Sequence, residues 1–169
     1  MGYAFPLAPM SAETLAVTLL LGSLPLVGVM AALVVPGGGI ALLVALGLLV
    51  IGGAIWCVWR PTAFVIRDDD RLELRFPVRR QWRELHPQRQ VRQLSLREFQ
   101  QEVGWVVRVG ASGFGGSFGW LWTQRRGWVE AYISRRDGLV LLEQPGSWPL
   151  LLSPAQPERF VALLSAPNT

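Results

Sequence analysis

Lysine is absent from this 169-residue chain: all 16 basic residues are arginines, and the first of them is Arg60. A Walker phosphate loop is thereby excluded, because its lysine has no counterpart here. Cys57 stands alone, so neither a disulfide framework nor a cysteine zinc cluster can form within one chain. His86 is likewise the only histidine, with no cysteine or carboxylate at a recognised nucleophile spacing from it, and it reads as a surface residue. No Lys or Arg precedes Arg60, which excludes the basic leading region of a cleaved signal peptide. Pro6 stands where a myristoylation motif needs Ser or Thr. The most consequential absence is charge: residues 14–59 contain no Asp, Glu, Lys or Arg.

That uncharged run divides at Pro36-Gly37-Gly38-Gly39 into apolar stretches 15–35 and 40–59. Each is near the roughly 20 residues that cross a hydrocarbon core as a helix, so residues 14–59 predict a transmembrane hairpin after a short segment 1–13. Pro25 predicts a kink in the first helix. Gly28 with Ala32 and Ala41 with Ala45 have the small-residue spacing that lets helices approach closely, within the hairpin first of all or else against another protein's helices. No ionisable residue lies in either span, which argues against an ion path or transport site. The turn is uncharged, whereas Arg60, Arg67, Arg71 and Arg75 follow the second span. By the positive-inside rule, residues 60–169 and the amino terminus then face the cytoplasm, with Trp56 and Trp59 as interfacial anchors.

Beyond Arg60-Pro61 the pattern turns to short alternating segments. Arg71 to Phe76 alternates strictly, with Leu72, Leu74 and Phe76 on one face, as a half-buried strand requires. Its partner is expected at 63–67 across the Asp68-Asp69-Asp70 turn, which lacks the ligand spacing of a calcium loop. Further strands are expected at 80–85, 91–97, 103–109, 120–123, 128–134, 139–144 and 148–152, the last four as meander neighbours. Asp137-Gly138 and Pro145-Gly146 would make the last two turns. Ser153, Pro154 and Gln156 suggest a capping box opening a terminal helix over 154–164, with Phe160, Val161, Leu163 and Leu164 on its apolar face.

The run Gly113-Phe114-Gly115-Gly116-Ser117-Phe118-Gly119, then Gly127, Val129 and Tyr132, the apolar strand 139–143, and finally Ser153-Pro154, Pro157-Glu158 and Phe160-Val161 form a set. Over about residues 61–164 that set resembles the membrane-anchored bacterial pleckstrin-homology-like domains, which similarly follow a two-helix hairpin. The resemblance implies about seven strands in two nearly orthogonal antiparallel sheets, closed by the last helix and used mainly for binding.

The glycine cluster fails the dinucleotide fingerprint, since Phe118 stands where a glycine is required, and it leads into a strand instead of a helix. It reads as a bend where Phe114, Phe118, Trp120 and Trp122 pack, or as a loop offering Phe114, Phe118 and Trp120 to a partner or to the membrane interface. Trp128 and Trp148 read as core or rim. The densest basic stretch includes Arg79, Arg80, Arg83, Arg89 and Arg92, candidates for anionic lipid head groups. Nucleic acid is disfavoured, since neither a recognition helix nor an aromatic stacking platform accompanies the charge. Glu84, Glu98, Glu102 and Glu130 are scattered, and no catalytic, metal or cofactor site is expected. The expectation is a non-catalytic membrane protein serving protein interaction or assembly, with head-group recognition as the alternative.

Overall fold

The computed structural model describes residues 2–35, 37–112 and 115–166, with backbone only at 111 and 112. The chain opens with a strand, not a free segment. β1 (Gly2–Pro6) pairs antiparallel with β2 (Ala63–Arg67), setting Phe5 opposite Phe64. Phe5 is 3% exposed and meets the Phe160 ring edge-on at 5.1 Å. The boundary expected at residue 13 is therefore corrected: residues 2–8 belong to the β domain. From β1 the chain passes Ser134 and Ser153, where the Ala8 N–H donates to the Ser153 carbonyl at 2.9 Å and the Ser134 Oγ donates to the Ala8 carbonyl at 2.7 Å.

Ser11 caps α1 (Ala12–Val34), its Oγ accepting the Thr14 N–H, and α2 (Gly39–Trp59) returns antiparallel. At 1.5 Å per residue, 23 and 21 residues extend about 35 and 32 Å, long enough to cross a membrane core of about 30 Å. Their apolar side chains are exposed on most sides, and among the described helix residues only Ala45 is buried. A soluble core helix would instead bury one face. Ala45 faces Gly28 so closely that a Cβ there would lie 3.3 Å from its own, so small residues do set the helix contact. The helix continues through Pro25. Because β1 and β2 are neighbours, the hairpin is an insertion between two paired strands, and both its ends lie on one side.

The first sheet has the order β1-β2-β3-β4, all antiparallel, with β3 (Arg71–Arg75) and β4 (Arg80–Glu84). The alternation predicted for 71–76 holds, with Leu72 and Leu74 buried against Phe5, Phe64 and Ile66. The second sheet comprises β5 (Gln90–Leu94), β6 (Val106–Ser112), β7 (Ser117–Thr123), β8 (Gly127–Ile133), β9 (Leu139–Glu143) and β10 (Leu150–Leu152). Its order is β5-β9-β10-β8-β7-β6. Among the described residues ten strands form, against the nine read along the sequence and the about seven that the resemblance implies, and β10 runs parallel to β8, so the sheet is mixed and the wholly antiparallel expectation is corrected. The meander is corrected with it: Asp137-Gly138 does not close a hairpin, because β10 lies between β8 and β9. Leu139 to Leu142 and Leu150 to Leu152 are buried on both faces, the signature of central strands. Pro145-Gly146 does join the antiparallel β9 and β10.

Two helices cover this sheet. α3 (Leu96–Val103) occupies residues expected to be the end of one strand and the start of the next. Ser95 and Glu98 close a reciprocal capping box, and Phe99 and Val103 pack under Leu121, Val129, Leu141 and Leu151. α4 (Pro157–Ser165) begins three residues later than expected, because Ser153 is drawn into the sheet, where its Oγ accepts the Ser134 N–H at 2.9 Å. The capping box expected at Ser153 does not form. Phe160 and Leu164 of α4 complete the core between the sheets.

Candidate functional site

The glycine cluster positions the β domain against the hairpin. Gly115 donates its N–H to the Thr18 Oγ1 on α1 at 2.7 Å, and lies so close to α2 that an added Cβ would meet the Trp56 ring at 2.7 Å. Its φ of +73° is a second reason for glycine. One turn along, Trp59 packs against the inter-sheet core. The tip of β6 and β7 therefore touches both helices at their base. Phe114 lies outside the described residues. Phe118 is buried beside Tyr132 in the core, so it is no tip residue, and its candidacy as a partner contact is corrected.

Trp120 has a different setting. In a strand alternate residues share a face, and the register sets Trp105, Val107 and Val109 of the β6 segment beside Trp122 and Trp120 of β7, with Trp128 next on β8. Trp120 meets Trp128 and Trp148 edge-on at 6.4 and 6.3 Å, and Trp105 lies 5.3 Å from Trp122. This face continues the inter-sheet core, but the first sheet does not extend over it: Trp105 is 58% and Trp148 55% exposed, and Val107 and Val109 are exposed beside them. The result is a wing of five indoles that runs across the sheet from the edge strand β6 through β7 and β8 to the start of β10. Trp105, Val107 and Val109 announce it at period two, a signal that becomes readable only with the strand register.

Beside the apolar core between the sheets, the contact of β4 with β8 is polar. Glu130 is buried, taking a hydrogen bond from the Tyr132 hydroxyl at 2.8 Å, another from the Gln81 Nε2 at 3.3 Å and an ion pair from Arg83. Burial first, and then the Glu130 charge, push the Tyr132 phenol well above its ordinary pKa. On the outer side of the first sheet Glu73 is 0% exposed, covered by arginines: Arg75 Nε at 2.9 Å, Arg67 Nη2 at 3.1 Å and Arg80 Nε at 3.8 Å. The Arg75 hydrogen bond holds its carboxyl below the usual range, against the opposing effect of burial.

The five arginines read as a head-group set are not brought together. Arg79 Nε donates to the Val58 carbonyl at 3.2 Å, closing the end of α2. Arg80 stands by Glu73 and Arg83 by Glu130. Arg89 donates to the Leu164 carbonyl at 2.7 Å, closing α4. Arg92 forks onto Glu102, 3.1 Å from each oxygen, and reaches Glu143. All five therefore have partners inside the protein. His86 accepts the Gln88 N–H at its Nδ1, and among the described residues no group of three or more His, Cys, Asp or Glu is placed to hold a metal. No family model, curated protein or solved structure matches the chain.

Proposed function

We propose that this is a non-catalytic protein of the bacterial cytoplasmic membrane, spanning it twice with both termini in the cytoplasm, whose β domain docks a partner polypeptide and so serves assembly of a membrane complex. The observation that carries this reading is the uncovered indole wing that reaches the β6 edge of the second sheet. Contiguous exposed apolar surface is uncommon on monomers, and Trp is enriched among the residues that dominate protein interfaces. An edge strand beside such a surface also offers backbone donors and acceptors to an extended segment. The absence of charge over residues 14–59 of the two long apolar helices supports the membrane assignment, and the arginines from Arg60 onward support the cytoplasmic orientation. The buried carboxylates support a non-catalytic role, since Glu73 and Glu130 are engaged by arginines.

A pleckstrin-homology-like scaffold is part of this proposal. Two sheets and a closing helix favour it, while the parallel β8 and β10 pair and the hairpin inserted after β1 would make the chain an unusual variant. The test is co-purification from cross-linked membranes with full-length Trp105→Ser and Trp148→Ser. Both side chains are more than half exposed, so folding should be retained. Loss of a specific co-purifying protein at an unchanged unfolding midpoint supports the reading, and unchanged partners count against this surface.

A further inference from the structure

On the opposite face of β6 and β7 from the indole wing, a cavity of about 290 Å³ opens between α1 and the second sheet. Its polar wall is formed by Arg108, Arg135 and Arg136 with Glu13, and its apolar wall by Val17 and Ile133. Arg136 is engaged by Glu13 at 2.7 Å. Arg135 spends one nitrogen on the Pro154 carbonyl at 3.0 Å, but its Nε is buried with no hydrogen-bond partner among the described residues. The Arg108 side chain makes no hydrogen bond or ion pair with the described residues. Arg108 and the Nε of Arg135 therefore differ from Arg79, Arg80, Arg83, Arg89 and Arg92, which have internal partners, as Arg136 does.

The cavity's height along the hairpin identifies what would fill it. Glu13 is the last charge before the span, and Val17 lies one turn farther in. The cavity thus straddles the level at which an apolar helix passes from head groups into hydrocarbon. Three arginines against one glutamate leave a net positive wall, and the planar guanidinium fork suits phosphate oxygens. We infer that this cavity binds the phosphate of an anionic phospholipid head group, with Arg108 and Arg135 as its principal contacts and the acyl chains lying along α1 near Val17. The site is independent of the indole wing.

The test uses the full chain in neutral-detergent micelles doped with phosphatidylglycerol or phosphatidylcholine, with retained lipid read by native mass spectrometry. Phosphatidylglycerol should be retained in preference. Arg108→Gln should weaken that retention about fivefold, the change expected for one arginine at a lipid surface. Glu13→Gln, which releases Arg136 toward the cavity, should strengthen it, a gain that damage to the fold would not produce. Arg159→Gln, on the exposed side of α4, should leave retention unchanged. Equal retention of the two lipids, or an Arg108→Gln protein indistinguishable from the parent, overturns the inference. Displacement of phosphatidylglycerol by equimolar glycerol phosphate would also overturn it, assigning the cavity to soluble phosphate esters.

Discussion

Replacing Phe5 by Ala should destabilise the β domain as severely as a change deep in its core, although Phe5 lies far from that core in sequence. The ring is 3% exposed, lies opposite Phe64 across the strand pair and meets Phe160 edge-on at 5.1 Å. Truncating a buried Phe costs about 3–5 kcal/mol, including the cavity left behind. β1 is an edge strand and can relax, which favours the lower end, about 3 kcal/mol. With a urea slope of about 1.5 kcal/mol per M for a domain of this size, the unfolding midpoint should fall by about 2 M. Tryptophan emission in detergent is a suitable readout, because the indoles of the wing report on the β domain. Tyr3→Ala is the control: Tyr3 shares the strand and its face but is 51% exposed, so its loss should cost under about 1 kcal/mol. Equal midpoints for the two variants would refute the incorporation of the amino terminus into the sheet. The same reasoning predicts that residues 61–169 expressed without β1 are markedly less stable than the full chain.

Gly115→Val should disturb the seat of the β domain on the hairpin, since it adds about 1–3 kcal/mol of backbone strain and drives a Cβ into Trp56. Faster hydrogen exchange at the backbone amide of position 115, bonded to Thr18 in the parent protein, would reveal it. Glu73 has a depressed pKa in the folded state, so its contribution to stability is complete above the unfolded value of about 4.3 and is lost as pH falls toward the folded one. Unfolding midpoints should therefore drop on acidification through that window, and Glu73→Gln should be less stable at neutral pH while removing that part of the slope. Arg89→Ala leaves the Leu164 carbonyl uncapped and should lower stability by about 1 kcal/mol, read as earlier proteolysis of the carboxyl-terminal helix.

What could be read before the structure follows from how local each signal is. The hairpin was legible because absence of charge over residues 14–59 needs no tertiary context, and β3 because Leu72, Leu74 and their charged neighbours alternate within one strand. β1 was not, since its partner lies beyond the whole hairpin. α3 carried its own Ser95 and Glu98 capping signal, but the alternating residues of β5 and β6 on either side were extended through it. Turn chemistry at Asp137-Gly138 reports a reversal and says nothing of which strand fills the space beside it, so the insertion of β10 was invisible. The candidate sites show the same division. Arginines dense in sequence are scattered by strand geometry, Arg80 on the outer face of β4 and Arg83 on the inner. The indole wing and the Arg108 cavity form only when β6, β7 and β8 come into register.

Docking on the indole wing is tested most directly by a photo-crosslinking residue placed singly at Val107, at Val109 and, off the face, at Arg159 in the full-length protein in native membranes. The account predicts a discrete protein adduct from positions 107 and 109 that disappears with Trp120→Ser and is absent from position 159. Adducts of equal yield from all three positions, or adducts to lipid alone from 107 and 109, would contradict it.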